Sequence, residues 1–130
     1  MSNATLASAP SPGSPDHRFE PRIRVKWHAD ACIDESAVYQ GFIKDISMHG
    51  TDIFLSMNLQ KIKSLKMRIY VPPLSKKELP HSMEVTGKVI YSAYDSNEFL
   101  FHTGIKFLQF ESESDQVLLQ SRIRLLKQAK

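Results

Sequence analysis

Two short runs hold the polar residues whose types and spacing suit ligand binding. The first is Arg18-Phe19-Glu20-Pro21-Arg22, two arginines four apart just ahead of the first apolar alternation. A guanidinium is permanently charged and carries a planar fork of donors. It grips a phosphate, bonds the O6/N7 edge of guanine in two places, or stacks on a base. Pro21 stiffens the run and disfavours helix in it, which predicts an extended hinge. The second run is Asp45-Ile46-Ser47-Met48-His49-Gly50. If strand alternation carries Ile46 inward, Asp45 and Ser47 face outward together. An outward carboxylate can accept from the N1/N2 edge of guanine, and an adjacent hydroxyl can bond a base or phosphate. Gly50 permits a positive φ and a close approach. Taken singly, each run also reads as something plainer, a basic strand start and an Asp/Ser/Gly turn.

The residues argue for binding rather than catalysis. His17, His28, His49, His81 and His102 lie at least eleven residues apart, and with a single cysteine they give no zinc spacing. The chain has no glycine-rich phosphate loop with its lysine, and no serine in a nucleophile elbow. Glu111 and Glu113 fall at the start of a predicted helix, where the helix dipole accounts for them. Neither an enzyme nor a metal site is expected.

Composition narrows the class. A chain of 130 residues suits one domain, and 42% hydrophobic with 24% charged residues is globular. No apolar run approaches the roughly 20 residues of a membrane span, and the amino end has no basic-then-apolar leader. Cys32 has no internal partner and fits a reducing compartment, so a cytoplasmic protein is expected. The net charge of +3 is unevenly placed: residues 17–28 and 115–130 each carry +3, and residues 29–114 carry −2. A nucleic-acid stripe is usually more basic than this, and a small dianion held by a few arginines fits better.

The elements that must position these residues follow from periodicity. Residues 1–16, rich in Pro, Gly and Ser, read as a flexible tail, and residues 17–130 as a single domain. Ile23, Val25 and Trp27 alternate as a first strand, and Asp30–Ser36 reads as a turn. Val38–Ile46 and Thr51–Ser56 form a hairpin around Ser47–Gly50, with Gly41 marking a bulge or bend. Residues 57–64 suit a short helical turn. Leu65–Val71 is a fourth strand stopped by Pro72-Pro73, Met83–Tyr91 a fifth, and Phe99–Phe110 a sixth, after an Asp95-Ser96-Asn97 turn. Ser112 with Asp115 resembles a capping box, followed by apolar residues at helical steps. The chain is therefore expected to be mostly β: a six-stranded antiparallel barrel with a C-terminal α-helix.

Taken together, the two polar runs resemble the PilZ domain family, bacterial receptors for cyclic di-GMP. The family pattern is R-x-x-x-R, then [D/N]-x-S-x-x-G some twenty-odd residues later, in a six-stranded barrel closed by a C-terminal helix. Here the runs read RFEPR and DISMHG with 22 residues between Arg22 and Asp45. Gly87-Lys88-Val89 resembles the family's fifth-strand G-x-V, and Gly104-Ile105-Lys106-Phe107 its last-strand signature. The resemblance covers about residues 17–127. It implies that Arg18 and Arg22 clamp guanine and phosphate groups, that Asp45 and Ser47 bind guanine, and that Gly50 shapes the turn. His17 stands where many members have another arginine, a position tied to whether one or two ligand molecules bind per chain. His102 and Gly104 are weaker candidates for lining the site.

The resemblance also implies a mechanism. Ligand would order the RxxxR hinge against the barrel and change the surface offered to a downstream protein, with motility, pilus or exopolysaccharide machinery as candidates. Two other classes fit the residues. One is a small barrel binding single-stranded nucleic acid through Trp27, Phe42 and Tyr91. The other is a ligand-independent adaptor docking through Leu119 and Leu126 of the helix.

Overall fold

The computed structural model describes residues 22–128. Seven strands and one helix follow in order: β1 Ile23–Arg24, β2 His28–Asp34, β3 Ala37–Ile46, β4 Gly50–Leu55, β5 Ser64–Val71, β6 His81–Asp95, β7 Leu100–Phe110 and α1 Glu113–Gln128. All pairings are antiparallel. The ladder runs β3-β2-β5-β6-β7-β4, and β4 pairs back onto β3, closing a six-stranded barrel. The two-residue β1 adds to the end of β3. Closure leaves no long edge to aggregate. The interior is apolar, lined by Ile43, Ile46, Ile53, Leu55, Met67, Ile69, Met83 and Val85, with Leu119 and Ile123 of the helix packed against it.

The clean alternation of β5 is the simplest case of sequence becoming structure. Leu65, Met67, Ile69 and Val71 are buried and the residues between them are exposed. The segment 28–34 departs from the sequence reading. It is a strand rather than a turn, paired on both sides with β3 and β5, and the turn is confined to Glu35-Ser36. Alanine and aspartate are poor strand formers, but Ala29 and Ala31 are buried in the core, and the two ladders override propensity. The first strand is shorter than alternation suggests. Val25 and Trp27 keep backbone bonds to Lys44 and Ile43, but spaced irregularly.

That irregularity has a partner in β3. The register slips between Ile43 and Asp45, so Lys44 is the extra residue of a bulge. Gly41 is not the bulge. Its place is a close approach, since a Cβ there would meet the Phe54 carbonyl oxygen and lie 2.7 Å from Leu55 Cδ2. The bulge explains why Ile43 and Ile46, three apart, both point inward. Residues 57–63 form a turn closed by an Ile62 N–H bond to the Leu59 carbonyl, without a helix. β6 runs further than expected in both directions, and Phe99 lies in the β6–β7 turn at φ 58° rather than in a strand.

Ser112 caps α1 by accepting from the Asp115 N–H at 3.2 Å. The reciprocal half of the expected box is not made. Asp115 Oδ2 instead accepts from the Glu84 N–H of β6, tying the helix start to the barrel. Leu119 is fully buried, so the helix spends its apolar face on its own barrel and Leu119 is not available for docking. No helix among the described residues is long and apolar enough to cross a membrane.

Candidate ligand-binding site

The site forms where β1, the β3–β4 hairpin and the middle of β6 and β7 meet. Asp45 of β3 pairs with Asp52 of β4, so the bulge and the register set two carboxylates side by side on the outer face. β1 lies on the other side of β3, pairing Arg24 with Asp45. Arg22, just before β1, reaches over this pair. Its Nη1 lies 3.1 Å from Asp45 Oδ1 and 3.3 Å from Asp52 Oδ2. Both contacts use one nitrogen, and among the described residues neither Nη2 nor Nε has a hydrogen bond.

Asp52 is the hub of the cluster. Its Oδ1 accepts from the Tyr91 hydroxyl at 2.6 Å, and its Oδ2 lies 3.6 Å from His102 Nε2. The Tyr91 hydroxyl is pushed well above the ordinary tyrosine range, mainly by burial and then by its bond to the Asp52 carboxylate, which would repel a phenolate. Tyr91 pairs with Gly104 across the β6–β7 ladder. A Cβ at Gly104 would lie 2.7 Å from Tyr91 Cζ and 2.8 Å from Cδ2, so the glycine lets the ring lie flat on β7. The His102 ring stacks on Phe54 at 5.1 Å and meets the Tyr91 edge at 5.6 Å.

The hairpin tip is built differently from its sequence reading. Ser47 is only 4% exposed. Its Oγ accepts from the His49 N–H at 3.1 Å, and its own N–H bonds the Gly50 carbonyl. The hydroxyl therefore turns into a three-residue loop rather than pointing outward beside Asp45. Gly50 has no positive φ. It is needed for close approach, because a Cβ there would collide with the Ile105 carbonyl oxygen of β7.

These residues border a cavity of about 610 Å³ lined by Arg22, Ser47, His49, Gly50, Asp52, Ile90, Tyr91, Gly104, Ile105 and Lys106. Of the sequence candidates, Arg22, Ser47, Gly50 and Gly104 line it, Asp45 holds Arg22 at its rim, and His102 lies behind Asp52. Arg18 and His17 lie outside the described residues, as do the tail and the rest of the RFEPR run. Asp52, Tyr91 and Lys106 were missed as site residues. Asp52 had a usable signal: it is the outward position of β4, two residues past Gly50. Tyr91 was named only as a stacking aromatic, and simple alternation puts it on the face of Met83, Val85 and Val89; the register slip between Val89 and Tyr91 turns it outward, and Lys106 had no signal beyond facing outward.

Family comparison agrees with this architecture. The PilZ domain model matches residues 16–124, and the chain belongs to that family. Three solved structures share the fold. One is the inhibitor of motility MotI/DgrA of Bacillus subtilis, at 20% identity and TM-score 0.67, covering 85% of this chain and 51% of that one. Another is the PilZ domain of YcgR from Escherichia coli with c-di-GMP, at 14% identity and TM-score 0.58, covering 88% and 94%. The third is MrkH of K. pneumonia in its apo state, at 19% identity and TM-score 0.61, covering 92% and 56%. The chain thus spans about half the length of MotI/DgrA and MrkH, and nearly all of the YcgR domain. A comparison with curated proteins found no match.

Proposed function

We propose that this chain is a non-enzymatic cytoplasmic receptor for cyclic di-GMP that passes its signal to another protein. The observation that carries the reading is the meeting of Arg22 and Asp45. They come from separate motifs with 22 residues between them, yet stand 3.1 Å apart at the rim of a cavity that also presents Lys106. Among the described residues the Nη2/Nε edge of Arg22 has no partner, and it takes a phosphate or the O6/N7 edge of guanine. Asp45 accepts from the guanine N1/N2 edge, with Arg22 shifting to admit it. Ser47 and Gly50 act indirectly, by fixing the hairpin that carries Asp45, and Gly104 seats Tyr91 beneath the base. Arg18, with His17 before it, completes the clamp from the leader, so that one or two ligand molecules tie the RxxxR run to the barrel. The partner surface altered by that docking is the output, and motility, pilus or polysaccharide machinery are its candidate recipients. The captured YcgR domain, whose ligand is c-di-GMP, and the motility inhibitor MotI/DgrA support this direction.

The nucleic-acid reading loses one of its aromatics, because Trp27 is buried in the barrel. Calorimetric titration of cyclic di-GMP into wild type and Arg22→Ala tests the receptor reading. Wild type is expected to bind, and the variant to lose at least about tenfold in affinity, the cost of one charge-assisted pair. Equal heats in the two proteins remove the clamp.

A further inference from the structure

Asp45 and Asp52 stand opposite each other across the β3–β4 ladder, and the same Arg22 nitrogen serves both. Like charges placed directly opposite repel, so the guanidinium is the counter-ion that holds two largely covered carboxylates together. Turning it towards an anionic ligand removes part of that counter-charge just as more negative charge arrives.

A replacement cation stands ready. His102 Nε2 lies 3.6 Å from Asp52 Oδ2, the oxygen that Arg22 also uses. That nitrogen is buried and has no hydrogen-bond partner among the described residues. The ring is held in place by Phe54 of β4 and by the Tyr91 edge of β6. The polar groups facing it are Asp52 from β4 and, beyond Asp52, Arg22 and Asp45. The Tyr91 hydroxyl is committed to Asp52 Oδ1 and does not compete for Nε2. An imidazolium here needs less than about 1 Å of movement to make a charge-assisted bond to Asp52.

We propose that binding of an anionic ligand by Arg22 is coupled to uptake of a proton by His102, which takes over from Arg22 as counter-ion of Asp52. The inference rests on the receptor reading above and adds a regulatory input to the same site. The proton goes to Nε2, no bond to carbon changes, and the bound state holds up to one proton more than the free state. Affinity therefore rises as pH falls and weakens as pH climbs through the range where histidines deprotonate, about pH 6–8, by at most about tenfold per unit.

Titrating cyclic di-GMP into the full chain at pH 7 in phosphate, HEPES and Tris, whose ionisation enthalpies differ, measures the proton directly. The expected result is an observed heat that varies with buffer in the sense of net uptake. In His102→Gln the buffer dependence and the pH slope of affinity vanish. His28→Gln, which changes an exposed histidine of β2 outside the cavity, keeps both. If the glutamine variant gives no heat, NMR titration of the wild-type His102 ring decides, its midpoint rising when ligand saturates the site. Binding with the same heat in every buffer, or uptake that survives His102→Gln, overturns the coupling and leaves the receptor reading intact. No binding heat in any buffer overturns both.

Discussion

Within the site, each residue's role follows from what its neighbours leave it to do. Arg22 supports two carboxylates through one nitrogen, and Asp52 in turn receives a tyrosine hydroxyl. The Tyr91–Asp52 bond has a pH signature. Because the folded-state phenol is held above its ordinary value of about 10, its contribution is fully present below that pH and is lost as the pH rises towards the raised value. Tyr91→Phe is expected to lower stability by about 1 kcal/mol at neutral pH. The gap between the variant's and the wild type's melting temperatures should narrow above about pH 10. A gap that stays constant from pH 8 to 11.5 means the hydroxyl is not held. Tyr70, bonded to Asp30 at 2.6 Å, is raised in the same direction and sets the background for that measurement.

At the scale of elements, the hairpin and the β6–β7 ladder make the site. Gly50 and Gly104 both lie against β7 or its partner, but what an added methyl meets differs. At Gly50 it is the backbone of Ile105, which cannot move without breaking the β4–β7 ladder, and at Gly104 it is the half-exposed Tyr91 ring. Gly50→Ala is expected to cost about 3 kcal/mol, the upper end of overpacking penalties. Gly104→Ala should cost about 1 kcal/mol or less while displacing Tyr91 from Asp52. Urea midpoints of the two variants should keep that order, and the reverse order contradicts the assigned contacts. The bulge at Lys44 was not readable from sequence, because a run such as Ile43-Lys44-Asp45-Ile46 fits an unbroken strand equally well until its pairing partner is known.

Across the whole molecule, the helix closes the barrel through one buried charge. Arg122 is 3% exposed and reaches both Glu78 carboxylate oxygens, at 2.9 and 2.8 Å, and the Pro72 carbonyl, so α1 clamps the β5–β6 loop. Glu78 is held below the usual carboxylate range, first by the Leu74 N–H, with the Arg122 charge adding to it. A depressed carboxyl stabilises above its ordinary pKa of about 4.3, and that contribution is lost as the pH falls through the lower folded value. Arginine is the more buried partner, so Glu78→Ala should destabilise more than Arg122→Met: the first strands a covered cation, and the second leaves a partly solvated carboxylate. Chemical denaturation at pH 7 and again near pH 3 checks both points. The Glu78→Ala penalty should shrink at the lower pH, and a penalty unchanged by acid removes the assigned role of the pair.

Local pattern determined a good deal. Strict alternation in Leu65–Val71, proline stops and a helical repeat after Ser112 fix strand faces and ends, because side-chain period depends only on backbone geometry. From these came the barrel with its closing helix, and the ordered motifs pointed to the PilZ family. Tertiary structure alone decided that 28–34 is a strand, that the Ser47 hydroxyl turns into its loop, and that Arg22, Tyr91 and His102 gather around Asp52. Those outcomes depend on which strands pair and in what register. Such pairing is set by the packing of the whole core, and no local run of residues encodes it.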